Sequence, residues 1–151
     1  MEIRVADPLG GDVRELLEHH LRDMFAASPA ESVHALDPVA LSGPDITFVA
    51  ARDDGVLLGC GAVRVAQGEA EIKSMRTVPS ARGRGVATAI LDHLIDLARR
   101  EGAVIVRLET GVQDYFASAR RLYERNGFAP CPPFGDYVLD PNSVFYERRL
   151  N

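Results

Sequence analysis

Hydrophobic positions near the start of the chain change from a period of two to a period near 3.6. Ile3-Arg4-Val5 alternates between apolar and polar residues, which predicts a first strand. After Asp12, a candidate N-cap, apolar residues recur every three or four positions and predict an amphipathic helix. These residues are Val13, Leu16, Leu17, Leu21, Met24 and Phe25. His19 and His20 are expected on or near the polar edge of this helix.

A proline-broken segment separates this helix from a series of β-rich runs. Residues 26–44 contain three X-Pro pairs, which predict a loop with short helical turns, and long irregular segments in compact domains often bind ligands. The runs 46–52 and 56–65 flank Asp53-Asp54-Gly55 and predict a hairpin. Residues 71–78 predict the next strand, with Glu71, Lys73, Met75 and Thr77 on one face.

The best-defined helix follows that strand. Its apolar stripe predicts a helix that ends near Arg99-Arg100 and Gly102. The stripe consists of Val86, Ile90, Leu91, Leu94, Ile95 and Ala98. A strand is expected at 104–109 and a final helix around Phe116 to Tyr123, which ends at Asn126-Gly127.

The tail of the chain is expected to return to the sheet from Phe128 onward. The runs 134–138 and 143–146 flank the turn-prone Asp140-Pro141-Asn142 and predict two closing strands. No internal repeat, low-complexity tract or linker interrupts the pattern, so we expect one domain over residues 1–151.

Composition narrows the classes of partner. The 17 Lys and Arg against 22 Asp and Glu give a net charge of −5, which argues against nucleic acid or an anionic membrane as partner. No apolar run reaches the ~20 residues of a spanning helix, and the start does not resemble a signal peptide, so a cytoplasmic location is expected. Cys60 and Cys131 lack the spacing of a zinc or redox pair, so we expect no metal and two buried thiols.

The turn before the second helix carries the clearest chemistry. Arg82-Gly83-Arg84-Gly85 leads directly into a helix, whose free N–H groups and dipole attract an anion. The glycines allow close approach to a phosphate, and the arginines add charged donors. A P-loop is excluded because no Gly-Lys pair exists, and a dinucleotide-binding fold is disfavoured because Thr88 stands where its third glycine belongs. Residues 72–88 contain four basic residues and no acid, so the acidic average hides a basic stretch.

Two motifs together resemble a known enzyme family. Arg82-x-x-Gly85-x-Ala87, between a strand and a long helix, resembles the acetyl-CoA signature of the GNAT superfamily of N-acetyltransferases. The run 119–128 resembles the second motif of that family, A-x-x-L-Y-x-x-x-G-F. The order of the elements around both motifs also matches, over nearly the whole chain. Further segments at 71–76, 108–111 and 133–137 are similar to a subgroup of small single-domain bacterial acetyltransferases.

The resemblance implies an α/β (α+β) fold and a cofactor site. The GNAT fold has a central mixed, mostly antiparallel twisted sheet of about seven strands, flanked by about four helices and splayed at the acetyl-CoA site. By analogy with the family, the main chain of Met75, Arg76 and Thr77 binds the pantetheine arm. The pyrophosphate cradle, with Arg82 as a flanking charge, maps to Gly83, Arg84, Gly85, Val86, Ala87 and Thr88.

The resemblance also implies catalytic roles. Tyr123 matches the tyrosine that commonly protonates the leaving thiolate, and Glu71 or Glu109 matches a position where family members place a general base. The sequence modestly favours Glu71 over Glu109 as the general base. It does not decide between them, because Lys73 beside Glu71 would keep that carboxylate ionised and less basic. Phe116 departs from the pattern, since the family often has an asparagine there.

Substrate contacts in this family come from the loop after the first helix and from the closing strands. They offer His34, Asp136 and Tyr137, and also Asp37 and Asp140, whose more ordinary role is to form turns before proline.

The hypothesis is therefore acetyl transfer from acetyl-CoA to a primary amine of a small molecule by direct attack in a ternary complex. Alternatives are acetylation of a protein lysine or N-terminus and a catalytically silent acyl-CoA sensor. A covalent acetyl-cysteine route is disfavoured, and a homodimer is compatible with the family.

Overall fold

A seven-stranded sheet forms the centre of the protein. The structure is a computed structural model that describes residues 1–151. The strands are β1 (Glu2–Val5), β2 (Ile46–Asp53), β3 (Val56–Ala66), β4 (Glu69–Thr77), β5 (Ile105–Gly111), β6 (Ala129–Cys131) and β7 (Ser143–Arg149). They lie in the order β1-β2-β3-β4-β5-β7-β6, and only β4 and β5 run parallel. This is the mixed, mostly antiparallel sheet that the resemblance implied.

Three α-helices cover the two faces of the sheet. They are α1 (Gly11–Ala27), α2 (Val86–Arg100) and α3 (Ala117–Arg125). The remaining helical segments are single 3-10 turns at Ala30–Ser32, Ala40–Ser42, Pro79–Ala81 and Asp114–Phe116. The first two of these lie in the proline-broken segment, as predicted. None of the helices is long and apolar enough to cross a bilayer.

Two hydrophobic clusters hold these layers together. The larger cluster joins α2 and α3 to one face of the sheet through residues such as Ile90, Leu94 and Leu108. The smaller one joins α1 and Leu41 to the other face, with Cys60 at its centre. In regular stretches of β4 and β5, every other residue therefore faces the α2 side, and the residues between them face the α1 side. This alternation decides which charged side chains share a face.

The local predictions need correction at two places. Asp12 is not the N-cap of α1, because Gly10 occupies that position and the Asp12 carboxylate accepts two hydrogen bonds of 2.8 Å from Arg52. The run 134–138 is not a strand, because the short strand Ala129–Cys131 pairs with β7 instead. The run 134–138 forms a turn, in which the Tyr137 amide donates to the Phe134 carbonyl.

Candidate active site

The sheet opens between its two parallel strands. β4 and β5 pair only from Glu69 to Glu71, opposite Ile105 to Arg107, and then diverge. A cavity of about 420 Å³ lies along this opening, bounded by β4, β5, α1, α3 and the N-terminus of α2. The splayed cleft that the family resemblance implied is present.

The N-terminus of α2 forms one end of the cavity. The backbone amides of residues 83–88 donate no hydrogen bond to any protein group, so consecutive N–H donors remain free. Gly83 and Gly85 have φ of 75° and 77°, a left-handed conformation that side chains with a Cβ adopt only with strain. All of the proposed cradle residues except Arg84 line the cavity. Arg84 is exposed and lies 3.9 Å from Asp53.

A bulge in β4 changes the predicted pattern of faces. The pairing with β3 shifts by one residue between Cys60 and Ala62, and Ser74 adopts a left-handed φ of 56°. Strict alternation across 71–77 is therefore wrong. Met75 packs against the α2-side cluster, whereas the Arg76 side chain reaches α1. Met75, Arg76 and Thr77 all line the cavity.

Glu71 and Lys73 form a buried ion pair near the opposite end of the cavity. Lys73 Nζ lies 3.0 Å from Glu71 Oε2, and the two side chains are only 9% and 16% exposed. The Tyr137 hydroxyl donates to the same Glu71 oxygen at 2.6 Å, and Lys73 Nζ donates to that hydroxyl at 3.3 Å. Burial and the negative charge of Glu71 raise the pKa of Tyr137, so its hydroxyl stays protonated. One oxygen of Glu71 is therefore already occupied by Lys73 and Tyr137.

Glu109 lies on β5, also in the wall of the cavity, in a different environment. Its neighbour Leu108 faces the α2 side, so Glu109 faces the α1 side. Its carboxylate accepts one hydrogen bond, from Ser143 Oγ at 2.7 Å. Burial raises the pKa of Glu109, while the Ser143 hydrogen bond and the charges of His34 and Lys73 lower it in part. Of the two glutamates, Glu109 is the one without an ion pair.

Tyr123 reaches the cavity from α3. Its ring is buried and packs edge-to-face on Phe128, with centroids 5.8 Å apart. Burial and the nearby Glu109 charge raise the pKa of Tyr123, which keeps the phenol protonated. The hydroxyl makes no hydrogen bond to another protein group. A phenolic O–H is thus held in the cavity wall by aromatic packing alone.

The remaining predicted substrate residues divide into two groups. His34 lines the cavity and packs edge-to-face on Tyr137, with centroids 5.2 Å apart. Asp136 is exposed and does not line the cavity. Asp37 and Asp140 accept hydrogen bonds of 2.8 Å from the amides of Ala40 and Asn142, so both form turns.

Phe116 is buried and lines the cavity where the family often has an asparagine. It packs edge-to-face against Tyr115, with centroids 4.8 Å apart. The adjacent Arg120 guanidinium donates to the carbonyls of Gly111 and Gln113 at 2.7 and 3.0 Å. An apolar ring therefore occupies the position, and Arg120 supplies the polar contacts at the end of β5.

Neither cysteine is arranged as a nucleophile. Cys60 is fully buried in the α1-side cluster, and burial raises the pKa of its thiol to about 12. Cys131 is half-buried in β6, where burial again raises the pKa, and it lies outside the cavity wall. Because the thiolate is the reactive form, neither residue favours a covalent route.

Three residues in or directly behind the cavity wall were not assigned to the site from the sequence. His20 was expected near the polar edge of α1, yet it is partly buried and lines the cavity. Asp23 and Tyr115 both contact the Arg76 guanidinium, at 2.6 Å each. Periodicity carried a weak signal for His20, which lies three residues after the buried Leu17. No sequence signal points to Asp23 and Tyr115, because their contacts join residues 39 and 53 positions apart.

Comparison with known proteins agrees with this arrangement. Residues 13–128 match the acetyltransferase (GNAT) family. The chain is 45% identical to the uncharacterized N-acetyltransferase YsnE of Bacillus subtilis, over 99% of this chain and all of that protein. It is 42% identical to the IAA acetyltransferase of Azospirillum brasilense, over 90% of this chain and 87% of that one.

A solved structure extends the similarity to three dimensions. A Klebsiella pneumoniae protein assigned as an acyl-CoA N-acyltransferase superposes with a TM-score of 0.81 at 28% identity, over 99% of this chain and 97% of that one. The splayed parallel strands, the free amides at the start of α2 and these matches lead to one conclusion. The chain belongs to the GNAT family and is an acetyl-CoA-dependent N-acetyltransferase.

Proposed function

We propose that this enzyme acetylates a primary amine of a small molecule by direct attack on acetyl-CoA in a ternary complex. The observation that carries the proposal is a single cavity that runs from the free amides of α2 to Glu109 and Tyr123. Both reactants then meet in one place without a covalent enzyme intermediate. Two relatives are named for acetylation of IAA and of streptothricin, which supports a small-molecule acceptor over a protein.

The residues of the cavity suit acetyl-CoA. When bound, acetyl-CoA supplies a thioester whose carbonyl carbon accepts the amine and whose sulfur departs. The free amides of residues 83–88 would hold its pyrophosphate, and Arg82 would add a charged donor. The main chain of Met75, Arg76 and Thr77 would hold the pantetheine arm beside the open edge of β4.

Glu109 is our candidate for the general base. An amine must lose a proton as it attacks, and a carboxylate with a raised pKa accepts that proton more readily than an ordinary one. Burial provides that shift at Glu109. Glu71 was modestly favoured on the sequence, but Lys73 and Tyr137 already occupy one of its oxygens. We therefore assign Glu71 to the structure of the acceptor pocket, which His34 and Tyr137 complete.

Tyr123 is our candidate for the general acid. The sulfur that departs needs a proton or a hydrogen bond, and the protonated Tyr123 phenol is free to donate one. The proton from the amine passes to Glu109, the C–S bond breaks as the N–C bond forms, and the sulfur takes its proton from Tyr123. Solvent exchange then returns Tyr123 and Glu109 to their starting forms.

Release of the CoA thiol tests this proposal. Wild type, Glu109→Gln and Glu71→Gln are assayed against a panel of small amines and a panel of peptides from pH 4 to 10. We expect small amines to be acetylated, with kcat/KM rising with pH as Glu109 loses its proton. Glu109→Gln should abolish this rise of kcat/KM with pH, the basic limb of the profile, and lower kcat by ~10²–10⁴-fold. Glu71→Gln should retain the limb.

Other results would point elsewhere. Loss of the pH limb in Glu71→Gln alone would make Glu71 the base. Turnover of peptides but not of small amines would indicate a protein acetyltransferase. Binding of CoA without turnover on any acceptor would indicate a silent sensor. Double-reciprocal plots of initial velocity with both substrates varied should give converging lines. Parallel lines would contradict the ternary complex.

A further inference from the structure

Arg76 forms a polar cluster on the α1 side of the cleft. Its Nη2 donates to Asp23 Oδ2 of α1 at 2.6 Å, and its Nη1 donates to the Tyr115 hydroxyl at 2.6 Å. His20, one helical turn before Asp23, completes the cluster. Arg76, His20 and Tyr115 line the cavity, and Asp23 lies behind them. No part of the proposed transfer chemistry uses these side chains.

The cluster has more hydrogen-bond donors than acceptors. A guanidinium has five N–H groups, and only two hydrogen bonds leave Arg76. Its Nε is buried and has no partner. Its side chain is only 9% exposed, so water has little access to accept hydrogen bonds from the remaining N–H groups. Buried donors without partners are costly, and their retention points to a ligand that supplies oxygen acceptors.

His20 has the same property. It is partly buried and lines the cavity, and its Nδ1 atom is buried with no hydrogen-bond partner. Burial, aided by the Arg76 charge, lowers the pKa of His20 to about 4, so the ring is neutral at physiological pH. A neutral imidazole keeps one N–H to offer to an oxygen acceptor without adding charge.

The charge of Arg76 is also only loosely satisfied. Its single carboxylate partner, Asp23, is 43% exposed and contacts it through one oxygen. Lys73, the other cation of this side, already pairs with the Glu71 carboxylate and donates to the Tyr137 hydroxyl. Of the two α1-side cations, Arg76 is thus the one with free donors for a second anion. A guanidinium binds carboxylate oxygens with fixed, paired geometry.

We propose that the amine acceptor also carries a carboxylate, as an amino acid does, and that Arg76 binds this carboxylate with His20 beside it. The inference rests on the proposed small-molecule function and assigns a substrate class to it. Arg76 lies on the α1 side of β4, as Glu109 lies on the α1 side of β5. A molecule that presents its amine to Glu109 and its carboxylate to Arg76 therefore occupies one side of the cleft.

Matched pairs of acceptors test this assignment. Common L-amino acids and their C-terminal amides are compared as acceptors for wild type, Arg76→Gln and, as a control outside the cavity, Arg99→Gln. We expect wild type to favour acids over amides by at least ten-fold in kcat/KM, after comparison at equal fractions of neutral amine. Arg76→Gln should reduce that ratio toward one, Arg76→Lys should retain part of it, and Arg99→Gln should leave it unchanged.

Calorimetric binding keeps the test valid without turnover. The preferred amino acid should bind the CoA complex of wild type and bind Arg76→Gln at least ten-fold more weakly. Equal loss on acids and amides in Arg76→Gln would show a merely structural role and overturn the proposal. A weaker affinity for CoA itself in Arg76→Gln, by the same factor, would assign the donors to a pantetheine carbonyl instead and also overturn it. Turnover of small amines with no preference for acids would refute this inference and leave the proposed function standing.

Discussion

The ion pair between Glu71 and Lys73 should contribute strongly to stability because it is buried. The two side chains are 16% and 9% exposed, and their charged atoms lie 3.0 Å apart. Glu71→Gln keeps the shape of the side chain and removes its charge. The Lys73 ammonium is then left in the protein with only neutral partners, such as the Tyr137 hydroxyl. The perturbation is therefore an uncompensated buried cation.

The cost follows from burial rather than from distance. Removal of one partner of a buried pair destabilises by about 3 kcal/mol, because the remaining charge has lost its solvation and its counter-charge. For a domain of this size, 1 kcal/mol shifts Tm by about 2–4 °C. Glu71→Gln should therefore lower Tm by about 6–12 °C at neutral pH. Lys73→Met should destabilise the protein as well. The double variant should lose less free energy of unfolding than the sum of the losses of the two single variants.

An exposed pair of the same length is the matched control. Arg14 Nε and Glu18 Oε1 also lie 3.0 Å apart, but these side chains are 55% and 47% exposed. Glu18→Gln should cost less than ~0.5 kcal/mol, because solvent screens the pair. Urea denaturation of all four variants and wild type at pH 7 gives the free energies of unfolding. Equal losses for Glu71→Gln and Glu18→Gln would refute the reasoning from burial.

Three further predictions concern the cradle and the catalytic residues. Gly85→Ala should lower the free energy of unfolding by about 1–2 kcal/mol, because alanine is strained at the positive φ of this position. It should also weaken CoA binding in calorimetry. Both effects should be smaller for Gly85→Asn. Tyr123→Phe should lower kcat far more than it changes the affinity for acetyl-CoA, and unchanged kcat would remove Tyr123 from the chemistry. Because burial raises the pKa of Glu109 in the folded state, stability falls as pH rises through that pKa. Glu109→Gln should therefore be more stable than wild type in denaturation at neutral pH, and a loss there would contradict that sign.

Much of the architecture could be predicted from local pattern. Strand alternation and helical periodicity predicted the hairpin of β2 and β3, the long helix α2 and the return of the chain after Asn126-Gly127. The free amides of the candidate pyrophosphate cradle could also be predicted, because they and the glycines lie within one short segment that needs no distant partner. These features depend on neighbours along the chain, and local sequence therefore carries them.

Prediction failed where a choice depended on a distant partner. Asp12 had the side chain of an N-cap, but Arg52, 40 residues away, binds its carboxylate. The run 134–138 alternated like a strand, but β7 pairs with Ala129–Cys131 at that edge. Local propensity limits the structures that a segment can form, and the partners available in the fold determine which of them it adopts.

The sequence by itself determined the order of the elements, the anion cradle and the chemical identity of the candidate residues, because each is a property of a short segment. Only the tertiary structure distinguished the environments of Glu71 and Glu109, which differ in their partners Lys73, Tyr137 and Ser143. It also turned Arg76 to the α1 side through the bulge at Ser74. Burial and charge pairing are sums over residues far apart in the chain, so the reactivity of a carboxylate is decided only when the fold brings its neighbours together.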